Sequence, residues 1–144
     1  MKTVKIKILD RSIPAPEYAH DGDAGLDLYS SINCELKPFE RKKIPTGIKI
    51  SVPKGYAGFI QPRSGLAANY GISILNTPWL IDSVYRGEVC AILINLDPKN
   101  VFKFKKGDKI CQLVIQKVEK IKIEINEDLG ETSRGEDGFG STDK

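Results

Sequence analysis

One histidine, one tryptophan, one methionine and three cysteines stand in 144 residues, and each shortage removes a class of chemistry. With His20 alone, neither an imidazole-based metal cluster nor a Ser-His-Asp triad can be assembled. Cys34, Cys90 and Cys111 are odd in number and widely spaced, with no C-x-x-C pair, which indicates neither a disulfide framework nor a thiolate zinc site. They read as small buried hydrophobes. No apolar run approaches the roughly 20 residues of a membrane span. The start, Met1-Lys2-Thr3-Val4-Lys5-Ile6-Lys7-Ile8, alternates charge with aliphatic and lacks a continuous signal-peptide core. The expectation is a cytoplasmic protein with no membrane contact. Also missing is any i, i+3, i+4, i+7 apolar stripe sustained over three turns. Whatever chemistry the chain performs must rest on carboxylates, arginine, hydroxyls and backbone groups.

What is present is ordinary for one globular domain: 40% hydrophobic and 28% charged residues, in a chain long enough to bury roughly two thirds of its unfolded surface. A net charge of +3 raises the question of nucleic acid, since clustered Lys and Arg neutralise phosphates. The lysines are instead dispersed through extended runs at Lys5, Lys7, Lys49, Lys103, Lys105, Lys120 and Lys122, opposite the apolar positions, as on a solvated sheet face. No nucleic-acid partner is expected. Val4, Ile6 and Ile8 alternate with lysine, and further extended runs cover Ile44–Val52, Gly58–Gln61, Ile72–Leu75, Val89–Asn95, Val101–Phe104 and Ile110–Gln116. A last run alternates Ile121, Ile123 and Ile125 with Lys and Glu. Gly and Pro punctuate these runs, and their spacing suits an all-β barrel or sandwich such as a jelly roll.

Three stretches carry the candidate chemistry. Asn76 to Glu88 lies between two β-branched runs and reads as the loop of a hairpin, with the carboxylate of Asp82 three residues before the phenol of Tyr85 and six after the amide of Asn76. Its plain alternative is a solvated loop whose Asp and Asn only close turns. Pro62 to Gly71 reads as one or two helical turns with Ser64 as N-cap and Gly71 as terminator, the guanidinium of Arg63 standing beside the first free N–H groups. That arrangement could cradle phosphate or be a capped surface helix. After Ile125 the chain is polar and Gly-rich, which by composition is a disordered tail. It nevertheless holds Arg134, Phe139, Gly140, Ser141 and Thr142, groups able to stack on a base and hold phosphate oxygens if the tail closes on a ligand.

Five motifs in order, Asp23-Ala24-Gly25-Leu26-Asp27-Leu28-Tyr29, Pro62-Arg63-Ser64-Gly65-Leu66-Ala67, the hairpin with Ile81-Asp82-Ser83 and Tyr85-Arg86-Gly87-Glu88, Gly107-Asp108-Lys109-Ile110-Cys111-Gln112-Leu113, and the tail, span Asp23 to Thr142. With them the chain resembles the trimeric dUTP pyrophosphatases (dUTPases). The resemblance implies a distorted jelly-roll β-barrel of the dUTPase-like β-clip type over residues 1–126, with one short helix. It implies a flexible arm over 127–144 that closes on a trimer's active site. The implied activity is magnesium-assisted hydrolysis of dUTP to dUMP and pyrophosphate, limiting uracil in DNA and supplying dUMP for dTTP synthesis. It further implies a homotrimer with Mg2+ as cofactor and dUTP as ligand, each cleft receiving motifs from two subunits and the arm of a third.

By the same resemblance, Asp82 holds the attacking water, while Asn76, Leu80, Ile81 and Cys90 read uracil through the backbone. Tyr85 packs on C2′ of the deoxyribose. Arg63, Ser64, Gly65 and Gln112 contact phosphates, Arg134, Phe139, Gly140, Ser141 and Thr142 form the closing arm, and Asp27 meets the magnesium through water. Trp79, Asp137 and Asp143 depart from a family pattern that commonly has Gly at those positions. A glycine at such a corner suggests positive φ or close ligand approach, so Trp79 is expected to reach bound nucleotide. Two rival readings remain: a dCTP-deaminase-related enzyme, of the same fold and with a similar Arg-Ser motif, which would release ammonia but fits the tail and the Asp82-to-Tyr85 hairpin less well, and a dUTPase-fold nucleotide-binding regulator of reduced turnover.

Overall fold

Ten strands and one short helix make up the regular structure of residues 2–141, the part described in this computed structural model. Lys5–Ile8 (β1), Arg41–Ser51 (β4), Glu88–Asn95 (β8) and Ile72–Ile74 (β6) form one antiparallel sheet in the order β1-β4-β8-β6. Gly25–Tyr29 (β2), Lys109–Lys117 (β10), Tyr56–Gln61 (β5) and Trp79–Ile81 (β7) form a second, in the order β2-β10-β5-β7. Cys34–Leu36 (β3) and Phe102–Phe104 (β9) make a two-stranded ribbon. The helix α1 spans Ser64–Tyr70 between β5 and β6.

The expected period-two pattern is realised most cleanly in β8, where Val89, Ala91, Leu93 and Asn95 are buried and the residues between them half-buried. Facing positions complete one core. Ile44, Ile48, Val89 and Leu93 of the first sheet share a cluster with Leu28, Ile60, Ile81 and Leu113 of the second and with Leu36 and Phe104 of the ribbon. Each fully buried aliphatic side chain contributes about 1.5–3 kcal/mol, so this distorted jelly roll is held by the contact of its sheets. The buried amide of Asn95 stitches the ends together, donating to the carbonyls of Leu36 at 2.9 Å and Asn100 at 2.8 Å.

Register along the longest strand is interrupted once. Pro45 faces Cys90 but Lys49 faces Glu88, so β4 bulges between them. Gly47 sits at the bulge with φ +72° and donates its N–H to Glu88 Oε1 at 3.0 Å, while the Thr46 hydroxyl donates to the Val89 carbonyl.

Four sequence expectations are corrected. The segment with Ile121, Ile123 and Ile125 is not a strand: those side chains are 79–95% exposed, because β10 is already flanked by β2 and β5 and nothing in the described chain covers the alternating face. Ser64 is the first helical residue and not the cap; Arg63 is the N-cap, with extended backbone and no side-chain cap bond, while Gly71 ends the helix in left-handed conformation as expected. Of the cysteines only Cys111 is buried, and Cys34 and Cys90 are half-exposed. The Asn76–Glu88 hairpin is also more than a loop, because β6 and β8 pair in the first sheet while the chain between them crosses over to supply β7 to the second.

Replacing Gly47 by alanine forces a left-handed non-glycine residue whose Cβ would lie 2.8 Å from Ile13 Cδ1. Gly47→Ala is expected to destabilise the fold by roughly 1–3 kcal/mol. Denaturant unfolding checks this, and an unchanged midpoint would show that the bulge is not held as described.

Candidate active site

The cross-strand register of the second sheet brings one group of polar side chains together. Asp27 on β2 faces Gln112 on β10, which in turn faces Gln61 on β5, and Pro62-Arg63 carries the chain from β5 into α1. The Gln112 amide donates to the Pro62 carbonyl at 3.0 Å, fixing the entry to the helix. Asp27 is held by two cations: Arg63 Nε lies 3.4 Å from Oδ1 and Lys109 Nζ lies 2.7 Å from Oδ2. The hydrogen bond from Lys109 to Asp27 and the attraction behind it hold the Lys109 ammonium above its ordinary range. Ser64 and Gly65 stand exposed at the start of α1, whose first turn contains no acidic residue and whose first N–H groups have no side-chain cap. Two cations against one carboxylate, beside unpaired N–H groups, make this corner receptive to anions. Asp27, Arg63, Ser64, Gly65 and Gln112 are thus neighbours within one chain.

The hairpin builds a different environment. A cavity of about 450 Å³ is lined by Lys43, Asn76, Trp79, Tyr85, Glu88 and Cys90 among others. The Tyr85 hydroxyl donates to the Glu88 carbonyl at 2.9 Å, and the Trp79 ring meets the Tyr85 ring edge-on at 6.2 Å and 78°. Burial, reinforced by the Glu88 carboxylate, pushes the Cys90 thiol above its usual range, so it stays protonated. Because β7 is the outermost strand of its sheet, one row of its backbone N–H and C=O groups has no strand partner and is free for a ligand. Ile81 points into the core, so any role it has outside belongs to its backbone. Leu80 and Asp82 open on a separate cavity of about 660 Å³, shared with Lys54, Tyr56 and Arg86.

The two environments are not joined within one chain. Strand β7 pairs with β5, Trp79 facing Ile60 three residues before Arg63, yet none of Asp27, Arg63, Ser64, Gly65 and Gln112 lines the hairpin cavity. Arg134, Phe139, Gly140 and Ser141 are exposed or nearly so, Phe139 fully, and Arg134 donates to the carbonyl of Asp137 at 2.7 Å within its own turn. Thr142 and Asp143 lie outside the described residues.

Lys109, Lys43 and Gly25 were not singled out by the sequence as site residues. Lys109 lies inside a recognised motif, but only the β2–β10 register shows that it reaches Asp27. Gly25 is needed because a Cβ there would sit 2.8 Å from Gln112 Oε1.

An all-β jelly roll with an anion-receptive corner and a polar and aromatic pocket at a free strand edge has the elements that a nucleotide ligand requires. Comparison with known proteins agrees. The family model described as dUTPase matches residues 11–143. The protein named deoxyuridine 5'-triphosphate nucleotidohydrolase from Corynebacterium glutamicum is 48% identical over 144 residues, covering 100% of this chain and 97% of that one. Its namesake from Streptomyces avermitilis is 46% identical over 139 residues, covering 96% of this chain and 79% of that one. Among solved structures, the Staphylococcus bacteriophage 80alpha dUTPase with dUpNHpp superposes with a TM-score of 0.90 at 27% identity, covering 100% of both chains. The chain belongs to the dUTPase family.

Gly25→Ala has a definite local consequence. The new methyl collides with the end of a flexible side chain and not with backbone, so stability should change by less than about 1 kcal/mol. The Gln112–Pro62 hydrogen bond should be lost, read as a shift of the Gln112 side-chain amide resonances. Unchanged resonances would show that Gln112 has room to spare.

Proposed function

We propose that the chain hydrolyses dUTP to dUMP and pyrophosphate, as its family membership indicates, in clefts completed between copies of the chain. The observation that supports this reading is that none of Asp27, Arg63, Ser64, Gly65 and Gln112 lines the hairpin cavity of Asn76, Trp79, Tyr85 and Cys90. With phosphate-holding and base-holding residues in separate parts of the chain, a second copy can face one of them with the other. Homotrimeric assembly, with a hairpin from one subunit facing the Arg63 corner of the next, resolves that geometry.

In this reading the free edge of β7 and the start of β8 present backbone groups at Asn76, Leu80, Ile81 and Cys90 to uracil, which needs no inward side chain from Ile81. Tyr85 packs against C2′ of the deoxyribose. Arg63, Gln112 and the N–H groups at Ser64 and Gly65 hold the phosphates, spreading positive charge over oxygens that gain negative charge as the reaction proceeds. Asp82 orients a water in line with the leaving pyrophosphate and takes its proton. The bond from water oxygen to the α-phosphorus forms as the bond from that phosphorus to the bridging oxygen breaks. No covalent enzyme intermediate is needed. Arg134, Phe139, Gly140, Ser141 and Thr142 then form the arm that covers the bound nucleotide and excludes water.

Magnesium fits these residues only as a companion of the triphosphate. Among the described residues no group of three or more His, Cys, Asp or Glu could hold a metal, and the Asp27 carboxylate is already occupied by Arg63 and Lys109. Asp27 would therefore meet the ion through its water shell, and the ion would supply charge neutralisation on the phosphate oxygens. No helix among the described residues is long and apolar enough to cross a membrane. Three free thiols suit the reducing cytoplasm, where the nucleotide pool lies.

Pyrophosphate release from dUTP tests the activity. Asp82→Asn should retain dUTP affinity while lowering turnover by roughly 10² to 10⁴; near-normal turnover would remove Asp82 from the mechanism. Arg63→Ala should likewise be nearly inactive. Mixing Asp82→Asn with Arg63→Ala subunits through unfolding and refolding should recover about a quarter of wild-type activity, because random trimers then contain intact sites built from one subunit of each kind. No recovery would mean that both groups of residues act from one chain.

The arm supports a separate test. Removing residues 131–144 should leave the melting temperature of the nucleotide-free protein nearly unchanged, since the described part of that segment is almost wholly exposed, while activity falls sharply. A large drop in melting temperature would make the segment structural.

A further inference from the structure

Trp79 has no part in the mechanism above, although it lines the same cavity as Asn76, Tyr85 and Cys90. The expectation that this corner needs glycine does not survive the structure: Trp79 is a β-strand residue opposite Ile60 and is absent from the positive-φ residues. The indole therefore sits there without backbone strain, and its placement is set by what it touches. Its ring stands edge-on to Tyr85, centroids 6.2 Å apart at 78°, the geometry in which a ring edge meets the negative face of its partner.

Two other contacts restrain the same tyrosine. Its hydroxyl donates to the Glu88 carbonyl at 2.9 Å. Its ring also lies so close over Gly87 that a Cβ there would collide with both the hydroxyl and the ring carbons. The Trp79 indole adds a third contact, made edge-on from a neighbouring position in the wall of the same cavity. Without the indole, Tyr85 could tilt into the space beside it while keeping its hydroxyl bond.

We propose that Trp79 is a positioning residue that holds the Tyr85 ring rigid, and that this rigidity sets how strongly the enzyme prefers deoxyribose to ribose. The inference rests on the reading of Tyr85 as the wall at C2′. A wall excludes an extra 2′-hydroxyl only as firmly as it resists displacement. A clamped ring rejects the ribonucleotide, and an unclamped one yields to it.

The experiment compares kcat/KM for dUTP and UTP in the full-length protein and its variants. Trp79→Gly should lower the dUTP-to-UTP ratio by roughly three- to tenfold, the worth of an edge-to-face aromatic pair, mainly by raising kcat/KM for UTP. Trp79→Phe should retain most of the preference. In a Tyr85→Ala background, Trp79→Gly should change the ratio no further, because the effect passes through Tyr85. A ratio unchanged within about twofold in Trp79→Gly, or the same shift persisting in the Tyr85→Ala background, would overturn the proposal. If Tyr85→Ala alone keeps full discrimination, the reading of Tyr85 falls and the inference with it. If Tyr85→Ala loses discrimination while Trp79→Gly does not, only the inference falls. Should Trp79→Gly fail to fold, the wild-type protein still decides. Its single tryptophan should change fluorescence saturably with a non-hydrolysable dUTP analogue, and a flat titration under calorimetric saturation would sink the clamp.

Discussion

Glu88 makes two contacts from the first position of β8. Its carboxylate accepts the N–H of Gly47 at the β4 bulge at 3.0 Å, and its carbonyl accepts the Tyr85 hydroxyl at 2.9 Å. The first contact fixes where the long β4–β8 ladder shifts register. The second fixes how the hairpin leaves that ladder. Next to it, Thr46 donates to the Val89 carbonyl, so a left-handed glycine and two side-chain bonds hold a bulge that would otherwise cost a ladder hydrogen bond. Everything the hairpin presents, from the free edge of β7 to the Tyr85 ring, is oriented relative to this anchor.

The crossing of the hairpin between sheets also gives the chain two distinct environments. β7 can join the second sheet only at its open edge beside β5, while Asp27 lies on β2 at the opposite edge. The Arg63 corner and the hairpin cavity share no lining residue. Charge follows the same division. Arg63 and Lys109 converge on Asp27, whereas the hairpin cavity is lined by one residue of each sign, Lys43 and Glu88, with Asn76 and apolar or aromatic residues making up the rest. A triphosphate suits the first and an uncharged base the second.

An alternating apolar pattern without a partner follows β10. Ile121, Ile123 and Ile125 have the period of a half-buried strand yet stand open to solvent, since β10 is paired on both sides before the chain reaches them. The physical signal in that stretch is a face to be covered, and the described residues of this chain do not cover it.

The sequence by itself determined the all-β class, the core strands and the terminator Gly71, because period-two burial and left-handed glycine are local properties of a chain. The ordered motifs also sufficed to place it in its family. Short β2, β3 and β7 carry too few alternating residues to announce themselves, and β7 is hidden inside what reads as a loop. Only the tertiary structure decided that Lys109 and Arg63 share Asp27, that Gly25 makes room for Gln112, and that Trp79 meets Tyr85 edge to face. Lys109 and Asp27 lie 82 positions apart in the chain, brought together by the β2–β10 register. Trp79 and Tyr85 are six apart, brought together by a crossing between sheets. Such contacts depend on which strands become neighbours, and that choice is made by burying the faces of all the sheets at once.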